Sequence, residues 1–245
     1  MRNIKMNLQF DGSRYAGWQR LGDKENTIQA KLEELLKKMT SEEINVIGCS
    51  RTDKGVHGKS LVCNFHTKSS MTIEEMEDYI NRYLPDDIVA YDLEEVDERF
   101  HSRYNAKSKF YRYTIDNNKY QDVFTRKFTT HIADNLNLEY MQEAANYLVG
   151  TFDFAAFTTT KSKKKDAIRT ITRINISRDG KYIYIDYEGD GFLHNMIRII
   201  TGTLIRVGKK EINPRYVINI LEAKDRSIAG PMADPKGLCL IEVIY

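Results

Sequence analysis

Asp53 is the residue in this sequence best placed to do chemistry. It sits within Gly48-Cys49-Ser50-Arg51-Thr52-Asp53-Lys54-Gly55-Val56-His57-Gly58, with Arg51 two residues before it and Lys54 directly after. A carboxylate can attack carbon or accept a proton, provided it stays ionised at neutral pH. A nearby guanidinium favours the charged form, and Arg51 and Arg198 are the two candidates to supply one, arginine being suited to bidentate pairing with a carboxylate. Tyr111, in Tyr111-Arg112-Tyr113, is of the type that stacks on an extruded or single-stranded base. Each candidate has a bland counterpart: a solvated Arg/Asp/Lys hairpin for the loop, a surface helix position for Arg198, and a core strand aromatic for Tyr111.

Other chemistries find less support. Gly189-Asp190-Gly191-Phe192-Leu193 lacks the full glycine spacing of a dinucleotide loop, and neither a phosphate-binding loop nor a nucleophile elbow is present. Three cysteines, Cys49, Cys63 and Cys239, form no C-x-x-C pair and fit a reducing, cytoplasmic setting. Five scattered histidines give no zinc spacing, so no structural metal is expected. No run approaches the ~18 apolar residues of a membrane span. The net charge of +2 is modest, yet Lys161, Lys163, Lys164 and Lys165 concentrate positive charge in one stretch. Such runs are usually a solvated face, and RNA phosphates are the functional alternative.

The elements that must position these residues can be read from periodicity. Arg2 to Phe10 alternates, with Ile4, Met6, Leu8 and Phe10 on one face of a strand. A helix follows, capped by Asn26 with Gln29 three residues on, and striped by Ile28, Leu32, Leu35, Leu36 and Met39. Strands are expected at 44–50 and 60–66, either side of the Asp53 loop. A capping box at Thr72 and Glu75 opens a second helix, and 88–96 returns as a strand. That order is βαββαβ, the ferredoxin-like unit. The second half repeats it, with strands at 109–115, 168–177, 182–188 and 238–244, and helices at 138–149, 192–207 and 215–222. The expected fold is α+β, two tandem ferredoxin-like halves, 1–104 and 105–245, forming one extended antiparallel sheet flanked by helices.

The stretch Ser50-Arg51-Thr52-Asp53-Lys54-Gly55-Val56-His57 resembles the signature of the tRNA pseudouridine synthase A family. Further matches follow in the family's order: Tyr15-x-Gly17-Trp18-Gln19, Leu84-Pro85-x-Asp87-Ile88, Phe100-His101-x-Arg103, Tyr111-Arg112-Tyr113, Arg169-Thr170-Ile171, Gly191-Phe192-Leu193-x-Asn195-Met196-x-Arg198, Asp225-Arg226-x-x-Ala229-Gly230-Pro231 and Gly237-Leu238. They span nearly the whole chain. The resemblance implies a homodimer that holds tRNA across both subunits and isomerises uridine to pseudouridine in the anticodon stem-loop, without cofactor or metal. Asp53 matches the catalytic aspartate, Tyr111 the tyrosine at the target uracil, and Arg51 and Arg198 arginines near both. Lys54 is expected to support substrate binding. The same scaffold as a non-catalytic structured-RNA binding module is the competing reading.

Departures from the family pattern are local. Ser50 replaces the usual glycine and Lys54 the usual alanine. After Asp153-Phe154 the run is Ala156-Phe157-Thr158 rather than Ser-Phe-Arg, so the lysine run is expected to take over an arginine's contact with RNA. These changes resemble those of a divergent second bacterial copy of the enzyme.

Overall fold

The computed structural model describes residues 1–22, 26–160 and 167–245. The chain is mixed α+β and divides into two compact units, Met1–Lys107 with Cys239–Tyr245, and Ser108–Leu238. No helix among the described residues is long and apolar enough to cross a membrane.

The first unit runs β1 (Arg2–Phe10), α1 (Ile28–Thr40), β2 (Ile47–Gly48), β3 (His57–Thr67), α2 (Ile73–Tyr83) and β4 (Ile88–Val96). β1 lies between β3 and β4, antiparallel to both, and β2 pairs antiparallel with the other side of β3. Ile4, Met6 and Leu8 are fully buried on one face of β1, each contributing about 1.5–3 kcal/mol by leaving water. The capping box forms as expected: Thr72 Oγ1 accepts the Glu75 N–H (3.1 Å) and Glu75 Oε2 accepts the Thr72 N–H (2.8 Å).

Two local expectations are corrected. Thr27, not Asn26, caps α1, its hydroxyl accepting the Ala30 N–H at 3.3 Å. The strand expected over 44–50 shrinks to Ile47–Gly48. Helix α1 takes the hydrogen bonds that a strand neighbour would otherwise supply: Glu33 Oε1 accepts the Val46 N–H (3.1 Å), and Gln29 Nε2 donates to the Val46 carbonyl (3.1 Å). Ile44 and Val46 are therefore buried without being in a sheet.

The second unit runs β5 (Ser108–Asp116), β6 (Thr130–His131), α3 (Leu138–Asn146), β7 (Gly150–Asp153), β8 (Ile168–Asp179), β9 (Tyr182–Gly189), α4 (Met196–Gly208) and α5 (Tyr216–Ala223). β9 pairs antiparallel with β5 and β8, and β8 with β7. Gly180, at φ +55°, opens the tight turn between β8 and β9. Helix α3 stops at Asn146, short of the expected 149, and Gly150 (φ +137°) starts β7. Helix α4 begins at Met196 rather than at 192, because Asn195 adopts a left-handed conformation (φ 62°) just ahead of it.

Pairing is not purely antiparallel. The C-terminal strand Leu238–Ile244 (β10) runs parallel to β3 through Cys239 and Leu240, opposite His57 and Gly58. β6 runs parallel to β5. Parallel neighbours need a crossover connection rather than a hairpin, and the long segment 117–129 supplies one between β5 and β6.

Candidate active site

Asp53 stands half-buried in the loop between β2 and β3, between the buried Thr52 and the exposed Lys54; Arg51 is also exposed. Its carbonyl accepts the Val56 N–H at 3.1 Å, closing a turn around Gly55 (φ +79°). The segment 12–18 fastens this loop. Trp18 N–H donates to the Thr52 carbonyl at 3.1 Å. The Trp18 indole lies so close over Gly48 that a methyl group there would stand 2.5 Å from the ring. Gly12 N–H donates to His57 Nδ1 at 3.0 Å, and Asp11 Oδ1 lies 3.3 Å from the same nitrogen.

The same segment is tied to α1 and to the start of β4. Gly17 and Trp18 carbonyls accept the Ile28 and Gln29 N–H groups at 3.2 and 3.0 Å. Tyr15 Oη donates to Asp87 Oδ1 at 2.6 Å, and Arg14 Nη2 lies 2.7 Å from Asp87 Oδ2. Burial and the Asp87 carboxylate push the Tyr15 hydroxyl's pKa upward. Tyr15, Gly17, Trp18 and Asp87, which matched a motif without an assigned task, thus build the frame that holds the Asp53 loop.

Tyr111 and Arg198 belong to the second unit. Tyr111, on β5, is 6% exposed and meets the Phe192 ring edge-on, with centroids 5.4 Å apart. Arg198, on α4, is only 8% exposed, so the surface-helix reading fails. Its Nε donates to the Ala233 carbonyl (2.8 Å) and its Nη1 to Asn195 Oδ1 (3.1 Å). Its positive charge also acts on the Tyr113 hydroxyl. Next to Tyr111, Arg112 forms a two-pronged pair with Asp186 on β9 (2.7 and 2.8 Å), a geometry that holds the guanidinium in a fixed plane. The pair was not foreseen, because cross-strand register cannot be read from one strand alone. Lys161, Lys163, Lys164 and Lys165 lie outside the described residues.

One neighbour of Asp53 was overlooked in the sequence. Thr52 Oγ1 is the only buried side-chain polar atom among the described residues without a hydrogen-bond partner. Among those residues, no group of three or more His, Cys, Asp or Glu side chains is arranged to hold a metal ion.

Fold and loop together define a two-unit α+β protein that holds one aspartate in a tightly framed turn. Comparison with known proteins is more specific. A family profile described as tRNA pseudouridine synthase matches residues 7–105 and 144–245. A protein of Bacillus cereus (strain ZK / E33L) named tRNA pseudouridine synthase A 2 is 44% identical over the full length of both chains. One of Clostridium tetani named tRNA pseudouridine synthase A 1 is 47% identical, also over both full lengths. One of Bacillus sp. (strain KSM-64) named tRNA pseudouridine synthase A is 49% identical over 98% of each chain. The chain belongs to the tRNA pseudouridine synthase family.

Proposed function

We propose that this RNA-modifying isomerase converts uridine to pseudouridine in the anticodon stem-loop of tRNA, with Asp53 as the reacting group. The observation that carries this reading is the framing of Asp53: in a chain of this family, its loop is fixed by Trp18, Gly12 and its own turn. The reaction breaks the N1–C1′ bond, turns the uracil and joins C5 to C1′; C5 loses its proton and N1 takes one up, so substrate and product are isomers. Reaching the target requires taking it out of the stack, at a cost of about a few kcal/mol. Phosphate contacts offset that cost and make binding salt-sensitive.

The remaining roles follow from exposure. Arg51 and Lys54 are exposed beside Asp53 and suit contacts to the RNA backbone and the flipped nucleotide. Tyr111 lies against the target uracil, its ring held by Phe192. Arg198 contributes a buried positive charge and fixes Asn195 at the start of α4. Lys161, Lys163, Lys164 and Lys165 add further phosphate contacts. Each half is a ferredoxin-like copy, a reading supported in the first by the strand order β4-β1-β3-β2. The working form is a cytoplasmic homodimer.

The decisive test is Asp53→Asn, assayed for pseudouridine in tRNA and for tRNA affinity. Product is expected to vanish while affinity stays within about twofold. Wild-type turnover in this variant sinks the assignment of Asp53, whereas tRNA binding with no pseudouridine from the wild-type chain itself leaves an RNA-binding module.

A further inference from the structure

We propose that Thr52 is a positioning residue for Asp53, its hydroxyl donating a hydrogen bond to the Asp53 carboxylate when the target nucleotide is bound. The inference rests on Asp53 being the reacting group. Its starting point is the orphaned Thr52 Oγ1: a buried hydroxyl without a partner is costly, since it has given up water and gained nothing. Loose packing is not the cause. The Thr52 carbonyl holds the Trp18 N–H at 3.1 Å, and the next peptide opens the turn closed by Val56. Residue 52 is therefore fixed on both sides, and its side chain is only 7% exposed.

A valine has the same shape and would bury a methyl group there without that penalty. The hydroxyl is thus a stability cost located one residue from the reactive carboxylate. Strained or unsatisfied groups concentrate where a site needs them in another state. On a strand, adjacent side chains point to opposite faces. Here residues 51–53 lie outside β2 and β3 and lead directly into the turn at Lys54–Gly55, so strand alternation does not force the two side chains apart. A hydroxyl donor favours the ionised form of a carboxylate and fixes its orientation. Asp53 needs both when it reacts with the sugar of the target nucleotide.

The test compares Thr52→Val, Thr52→Ser and Asp53→Asn in the full chain. Each variant is measured for thermal midpoint, tRNA affinity, and single-turnover rate as a function of pH. Thr52→Val is expected to melt at or above the wild-type temperature and to bind tRNA within about twofold. Its single-turnover rate should fall about 10- to 100-fold, the loss of one hydrogen bond to a charged group. The acid limb of its pH–rate profile should move to higher pH. Thr52→Ser, which keeps the hydroxyl, should recover most of the rate. A Thr52→Val protein with wild-type rate and profile overturns the inference, as does one whose rate loss tracks a lower midpoint or weaker tRNA binding. If Asp53→Asn keeps its activity, the catalytic assignment fails instead, which separates the two claims.

Discussion

At Gly17 the backbone has φ +113°, and an added methyl group would stand 2.7 Å from the Thr52 carbonyl oxygen and 3.2 Å from the Asp53 carbonyl carbon. Both contacts are to backbone, so the neighbour cannot swing aside. Gly17→Ala is expected to destabilise the protein by about 1–3 kcal/mol through the left-handed conformation and the clash. It should also displace Asp53 and lower pseudouridine formation at least tenfold. Gly191→Ala is the control. Gly191 also lies in a glycine-containing motif, but an added methyl there meets only Arg169 side-chain atoms at 3.9 Å and beyond. Its denaturation midpoint should stay near wild type. Equal effects in the two variants would show that the close approach at Gly17 does not matter. The sequence singled out Asp53 as a candidate because a carboxylate flanked by glycine and cations is recognisable by type. It concealed why Gly17 is glycine, because the atoms that forbid a side chain there belong to a distant loop. The bland surface-helix alternative for Arg198 could not be dismissed from sequence for a related reason: a helical arginine looks solvent-facing until its carbonyl partner at Ala233 is known.

Among the elements, those stabilised by their own residues were legible. The Thr72–Glu75 box depends on neighbours within a few positions, so pattern suffices. β2 and the 117–129 segment were not legible, because partners remote in sequence shape them. In that segment, the buried Asp116 carboxylate accepts the Asn118 N–H (3.3 Å) and the Asp122 N–H (2.8 Å). Asp122 in turn bonds Lys181 and the Phe124 N–H (2.9 Å), and Tyr182 Oη reaches Thr125 Oγ1 at 3.2 Å. The crossover is thus held by acids at its base while Phe124 at its tip is 92% exposed. Asp116→Ala should release it. Limited trypsin digestion is expected to cut after Lys119, Arg126 or Lys127 at least tenfold faster than in wild type, with α3 and α4 still protected from hydrogen exchange. Unchanged cleavage there means that Asp122 and Tyr182 suffice to hold the segment.

Over the whole molecule, titration has opposite signs at the two pH extremes. On the acid side, Glu42, Asp122, Asp134 and Asp153 all have lowered pKa values: by the Thr67 hydroxyl for Glu42, and by Lys181, Lys209 and Lys224 for the aspartates. Their contribution is present above the ordinary carboxylate range and is lost as pH falls through their lowered values. Asp134 is exposed and the other three are half-buried at the surface, so solvent screening keeps each contribution small. On the alkaline side, Cys63, Tyr113 and Tyr187 are buried while Cys239 and Tyr245 are half-buried. Burial pushes the Cys239 thiol up to about 11 from an ordinary 9.0, and raises Cys63, Tyr113, Tyr187 and Tyr245 as well. In every case the native state holds its proton while the unfolded chain releases it. Stability is therefore full below the unfolded pKa and is lost as pH rises, for Cys239 across about 9 to 11. That one thiol accounts for on the order of 2 kcal/mol, and the tyrosines extend the loss to higher pH. The urea midpoint should accordingly be flat from about pH 6 to 8 and fall steeply above about 9. Cys239→Ala should flatten the first part of that fall, because β10 then carries no ionisable group beside His57 and Gly58. A midpoint that holds constant to about pH 11 in wild type, or the same slope in both proteins, would mean that these side chains reach water in the native state and that the β3–β10 pairing does not shield them.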